Sequence, residues 1–119
     1  MAKQISPHFT DLEFKCRHCG KLPAGMPAPK LLEKLEKLRE RIGAPLHIAS
    51  GYRCPKHNAA VGGAQNSQHP KGTAADITVK TLGPGEVADA AEAVFGYRSG
   101  IGRYPGFTHV DVRSSHARW

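Results

Sequence analysis

Asp76 stands inside the run Ala74-Ala75-Asp76-Ile77-Thr78-Val79, and that placement constrains the chain more than any other feature. Ile77 and Val79 alternate with polar neighbours after a glycine-containing loop, the pattern of a strand with a buried face. A carboxylate in a buried strand is costly to desolvate unless a positive partner sits beside it. A divalent metal would supply that charge, and His69, at the mouth of the tight turn Pro70-Lys71-Gly72, is a second ligand within reach. The segment Phe107-Thr108-His109-Val110-Asp111-Val112-Arg113 extends the pattern. Side-chain direction repeats every two residues along a strand, so His109, Asp111 and Phe107 share one face while Thr108, Val110 and Val112 take the other. Two imidazoles and one carboxylate leave a fourth position open, as in catalytic rather than structural zinc sites. The spacing fits equally an ordinary strand whose His109 and Asp111 hydrogen-bond each other.

The chain has 119 residues, which supports one domain, spanning 1–119, with one modest core. No run approaches the roughly 18 apolar residues of a membrane span, and the start MAKQISPHFT lacks the apolar stretch of a secretory signal. Leu31, Leu32, Leu35, Leu38 and Ile42 recur at helical spacing between Pro29 and Gly43, so a helix is expected over 28–42. Strands are expected over 46–49, 74–79, 101–104 and 107–112, the last two meeting at the Pro105-Gly106 turn. A short helix is expected over 58–61, ahead of Gly62-Gly63, and a second amphipathic helix over 86–95. This order implies an α+β domain, a small antiparallel sheet with two or three helices packed on one side.

Lys and Arg number 17 against 10 Asp and Glu, a formal charge of +7. Charge alone admits nucleic acid or another polyanion such as a bacterial wall surface. The basic residues are dispersed, however: Lys30, Lys34, Lys37, Arg39 and Arg41 interleave with Glu33, Glu36 and Glu40, as on a solvated helix face. No stripe of basic and aromatic residues marks a nucleic-acid surface. Of seven histidines, His8, His18, His47 and His116 show no partner pattern and read as surface or packed residues. Cys16-Arg17-His18-Cys19 and Cys54-Pro55-Lys56-His57 place three cysteines and His57 at ligand spacing. Cys16, Cys19, Cys54 and His57 are compatible with a second, structural zinc, with a disulfide from Cys54 to one of the first pair, or with free thiols; a zinc-ribbon nucleic-acid binder built on them is a further reading. The odd count argues against a clean disulfide framework.

Ser67-x-His69-x-x-Gly72-x-Ala74-x-Asp76, preceded by Ser50-Gly51-Tyr52-Arg53 and followed by His109-Val110-Asp111, resembles the zinc D-alanyl-D-alanine carboxypeptidase family. That family includes L-alanyl-D-glutamate endopeptidases and shares the Hedgehog-type fold. The resemblance implies that His69, Asp76 and His109 hold a catalytic zinc and that the chain is a metallopeptidase cutting peptidoglycan stem peptides or cross-links. Arg53 would lie near the substrate, where a guanidinium can grip a carboxylate or carbonyl through two parallel bonds, and Ser67 or Gln68 would donate a further hydrogen bond. Where several members carry a catalytic carboxylate three residues before the last zinc histidine, this chain has Gly106. Asp111 is then the candidate general base, or the group that orients a ligand. A wall-binding module that keeps the zinc and lacks hydrolysis is the alternative. The expected partner is the wall peptide, met by a monomer that neither binds nucleic acid nor inserts into a membrane. Without a signal peptide the chain is expected in the cytoplasm until released, or with a phage particle, and to act at the cell wall.

Overall fold

In a computed structural model, which describes residues 3–61 and 67–119, the helices follow their end signals. Pro29, whose missing N–H is not needed in a first turn, opens α1 (Pro29–Ile42), and Gly43, at φ 75°, closes it. Leu31, Leu35 and Leu38 form its buried stripe, each contributing about 1.5–3 kcal/mol by leaving water. The second helix, α2 (Pro55–Ala60), starts three residues before the expected 58, because Pro55 follows the Cys54 N-cap; Gly62-Gly63 lies outside the described residues. Helix α3 (Pro84–Phe95) likewise begins at a proline and buries Val87, Ala88, Ala91 and Phe95.

Among the described residues, seven strands accompany them. A short hairpin, β1 (Gln4–Ser6) and β2 (Phe9–Thr10), stands apart from a sheet of β3 (His47–Ser50), β4 (Ala74–Thr78), β5 (Gly100–Arg103), β6 (Thr108–Asp111) and β7 (Ala117–Arg118). The sheet order is β3-β4-β6-β5-β7, antiparallel except for β7, which runs parallel to β5. The hairpin and β7 were not expected, since strands of two or three residues carry too little alternation to read. The domain is α+β.

Register divides the sheet into two faces with different chemistry. Ala75 and Ile77 of β4 lie opposite Val110 and Thr108 of β6, and Ile101 of β5 opposite Val110. This face packs with the leucines of α1 and the small residues of α3 into one core, joined by Phe9 and Phe14 from the hairpin segment. The other face carries Asp76 opposite His109 and Ala74 opposite Asp111, with Gly102 and Gly100 completing the two rows. One face is therefore apolar and covered, and the other gathers the charged residues.

Candidate metal centre

Strand pairing sets Asp76 beside His109, and a turn delivers His69 to the same point. A single 3-10 turn, His69–Lys71, ends at Gly72 with φ 72°, a left-handed conformation that favours glycine. A Cβ there would also strike the Met26 side chain at 2.5–2.9 Å. All three candidate ligands are buried. His69 Nε2 lies 3.2 Å and His109 Nδ1 3.0 Å from the same oxygen, Asp76 Oδ1. The three ligand atoms are within 4.8 Å of one another.

The opposite ring nitrogens decide what these atoms present. His69 Nδ1 is 2.7 Å from Gly51 O; a carbonyl only accepts, so this nitrogen carries hydrogen and Nε2 of the neutral ring offers a lone pair. His109 Nε2 donates to Asp111 Oδ2 at 2.7 Å, which turns the Nδ1 lone pair of a neutral ring inward in the same way. Two lone pairs and a carboxylate oxygen thus converge with no hydrogen between them, an arrangement that a cation satisfies. Burial pushes the Asp76 carboxyl up, but His109 and His69 outweigh it and hold it well below the usual carboxylate range. Burial likewise works against charge on His109, yet Asp111 and Asp76 raise its pKa. Proton and metal therefore compete for one place. The donor set of two nitrogens and one carboxylate fits zinc with an open fourth position.

The contacts of Asp111 favour the second of its two expected roles, orienting a ligand, over that of general base. It is fully buried, and both oxygens are taken: Oδ1 by the amides of Gly100 (2.9 Å) and Arg113 (3.1 Å) and by Arg113 Nε (2.8 Å), Oδ2 by His109 Nε2 and Arg113 Nη2, each at 2.7 Å. Burial pushes this carboxyl up, whereas His109 and Arg113 hold it well below the usual range. Its geometry is that of a carboxylate orienting a metal-binding imidazole. Sequence spacing placed Asp111 on the correct face but not its direction, which points along the sheet to the far side of the His109 ring. Gly106 is exposed in the turn after β5.

Gly100 makes room for that carboxylate. A Cβ at this position would sit 2.6 Å from Asp111 Oδ1, and the carboxylate, fixed by five hydrogen bonds, has little freedom to yield. Gly100→Ala is expected to destabilise the fold by about 1–3 kcal/mol, the usual size of overpacking. The measurement is the urea midpoint at unchanged slope; an unchanged midpoint would show that the carboxylate shifts freely.

Arg53 lines the cleft, where a residue near the substrate was expected, and it also pairs with Asp76. Its Nη2 donates to Asp76 Oδ2 at 2.8 Å, Nε to Ser50 Oγ at 3.1 Å and Nη1 to Asn58 Oδ1 at 3.3 Å. These bonds fix the outer oxygen of Asp76 and use three of the five guanidinium N–H groups, while the side chain still lines the cleft. Ser67 Oγ accepts from the His69 amide at 3.2 Å, and Gln68 Oε1 accepts from Thr73 Oγ1 at 3.0 Å. These contacts shape the turn that carries His69. Ser67 and Gln68 still line the cleft over the metal cluster, which has a volume of about 800 Å³.

Several residues of this cleft were not legible in the sequence. Tyr104, Arg113 and Trp119 line it beside Phe107, which strand spacing had already placed on the His109 face. Trp119 lies 4.9 Å from the His109 ring, donates from Nε1 to Tyr104 Oη at 2.6 Å, and has the Arg113 guanidinium 5.2 Å from its ring centre. Arg113 could have been found from its two-residue spacing to Asp111 on one strand face. Trp119 arrives by the parallel β7 pairing, for which no local signal exists.

The three cysteines also come together, with sulfurs within 4.8 Å of one another, and all are free thiols in the structure. Burial pushes the Cys16 thiol up, but hydrogen bonds from the Cys54, Cys19 and His18 amides outweigh it and bring it to about 7. His18 was expected to have no partner pattern. Instead its ring stacks on His57 at 5.6 Å and its Nδ1 lies 3.8 Å from Cys54 Sγ.

Comparison with known proteins bears on the buried cluster of the cleft. No curated protein matches the chain. The model of one family, described as Peptidase M15, matches residues 7–111. That span holds the His69 turn, the Asp76 strand and the His109 strand in the order the resemblance required. A zinc-type donor set at the floor of a cleft and a family match across most of the sequence agree, and the chain belongs to the Peptidase M15 family.

Proposed function

We propose that the protein is a zinc peptidase that hydrolyses stem peptides or cross-links of peptidoglycan. The observation that carries this reading is the convergence of His69 Nε2, His109 Nδ1 and Asp76 Oδ1 under an open cleft. His69, Asp76 and His109 would hold a zinc ion, which would supply Lewis acidity to the scissile carbonyl and lower the pKa of a bound water toward about 7. Gly51 and Asp111 hold the two imidazoles in position, and Arg53 keeps one oxygen of Asp76 turned away from the ligand atoms. Arg113, ion-paired with Asp111 but partly exposed, lines the cleft wall, where its guanidinium could meet a substrate carboxylate. The net charge of +7 favours approach to anionic wall polymers.

The test is digestion of isolated cell walls by the full chain, as purified, after chelation, and after zinc is restored, with products identified by mass spectrometry. Loss of peptide cleavage on chelation and its return with zinc are expected. Release of free D-alanine would identify a carboxypeptidase, and split cross-links or stem peptides an endopeptidase. A chain that binds zinc and walls but cuts nothing would overturn the enzymatic reading in favour of a binding module. Raising ionic strength from about 0.1 M to about 1 M shortens the screening length from about 10 Å to about 3 Å, so co-sedimentation with walls should fall several-fold. Unchanged binding would mean that the charge does not serve wall attachment.

A further inference from the structure

We infer that Cys16, Cys19 and Cys54, with one imidazole of the stacked His18–His57 pair, bind a second zinc ion that has a structural role. The inference is independent of whether the cleft hydrolyses peptides. Its first support is convergence from distant parts of the chain: the sulfurs of a C-x-x-C pair and of a cysteine 35 residues beyond Cys19 lie within 4.8 Å of one another. Zinc–sulfur bonds of about 2.3 Å in a tetrahedron separate sulfurs by about 3.8 Å, so a small contraction around an ion completes the triad. Three sulfurs meeting at one point are one too many for a disulfide.

The backbone around these residues is built for thiolates. Cys16, Cys19 and Gly20 form a tight knuckle in which the Gly20 amide donates to Cys16 O at 2.8 Å and the Cys16 amide to Lys21 O at 3.0 Å. Gly20 has φ 69°, the left-handed value at which glycine carries no steric penalty. Sulfur receives amide hydrogens across the cluster: Cys54 N donates to Cys16 Sγ and His57 N to Cys54 Sγ, both at 3.4 Å. Such bonds stabilise the charged sulfur that a metal requires. Cys54 and His57 fall in one turn, and His18 Nδ1 stands 3.8 Å from Cys54 Sγ, near the roughly 3.5 Å that nitrogen and sulfur ligands of one tetrahedral zinc keep. Three thiolates and one imidazole close the coordination sphere, which is the composition of a structural site.

The position of the cluster gives it a task. It joins the segment after Phe14 to the loop between β3 and α2, where Tyr52 N donates to Phe14 O at 2.9 Å. That loop holds Gly51, whose carbonyl fixes His69, and Arg53, which fixes Asp76. An ion at the cysteines therefore clamps the loop on which two of the three cleft ligands, His69 and Asp76, lean.

The test uses full-length His69→Ala protein, in which the cleft site lacks a ligand, kept reduced and loaded with zinc or cobalt. One tightly held zinc per chain is expected, and cobalt should give the intense thiolate-to-metal charge-transfer absorption of a tetrahedral sulfur site. Chelation should lower the thermal midpoint of this variant. The double variant His18→Ala/His57→Ala in the same background should bind zinc at least about tenfold more weakly, a lower bound set by the effect of losing even a supporting group. Absence of the cobalt charge-transfer band in the otherwise intact chain would overturn the site without requiring any cysteine variant to fold. A mass two hydrogens short, marking a disulfide, would overturn it too, and an unchanged affinity in the double variant would overturn the histidine ligand.

Discussion

His69→Ala should reduce wall-peptide cleavage by about a thousandfold or more while leaving a folded chain. The imidazole is one of three buried groups at the candidate zinc, and removing it leaves one nitrogen and one carboxylate to hold the ion. Lewis-acid stabilisation by a bound metal is worth several kcal/mol in the transition state, and each 1.36 kcal/mol is a factor of ten in rate. Loss of the ion thus accounts for at least three decades. The fold survives because Asp76 retains Arg53 at 2.8 Å and His109 at 3.0 Å when its 3.2 Å contact with His69 is lost, and Gly51 O loses one hydrogen bond. Inductively coupled plasma mass spectrometry should show one metal fewer per chain than wild type, and far-ultraviolet circular dichroism should be unchanged. Cleavage retained within tenfold of wild type would remove His69 from the metal site.

Much of this site was readable because strand periodicity is a local property. The alternation in 107–112 placed His109 and Asp111 on one face, and the paired register of β4 and β6 then brought Asp76 opposite His109. The helices of the core were equally legible, since Pro29 with Gly43 and the leucine spacing of α1 are signals within one segment. What escaped reading depends on distance along the chain. Arg53 lines the cleft as expected, but its pairing with Asp76, 23 residues away, left no local signal. His18 looked partnerless because its neighbours are Cys54, 36 residues on, and His57. Trp119 entered the cleft through a two-residue strand paired in parallel with β5, a pairing that leaves no trace in local pattern. Asp111 is the mixed case: the sequence located its face, and only the five hydrogen bonds around it separate orientation from proton transfer.

Asp111→Ala tests that separation and should be the most destabilising single change at the site. Alanine would leave His109 Nε2, the Gly100 amide and the Arg113 guanidinium without their acceptor in a place where the carboxylate is fully buried. Removing one member of a buried ion pair typically costs about 3–5 kcal/mol. Because Arg113 retains partial exposure, with side-chain accessibility of 25%, water can recover some of its loss, and the lower end of that range is expected. The effect has a pH signature. The Asp111 pKa is depressed in the folded state by His109 and Arg113 against the opposing effect of burial, so its contribution is present above the unfolded value of about 3.9 and is lost as pH falls through the lower folded value. Urea midpoints of wild type and variant should therefore differ most near neutrality and converge in acid. Asp111→Asn keeps the volume but turns an amide N–H₂ toward donors, so it should recover only part of the stability. The catalytic readout distinguishes the two roles. A carboxylate that orients a metal-bound imidazole is worth about 10–100-fold in metal affinity or activity, and saturating zinc should restore most of the cleavage by Asp111→Asn. A general base contributes about 10²–10⁴-fold to the chemical step, which added zinc cannot replace. Activity that stays low at saturating zinc, with a changed pH profile, would return Asp111 to proton transfer despite its burial.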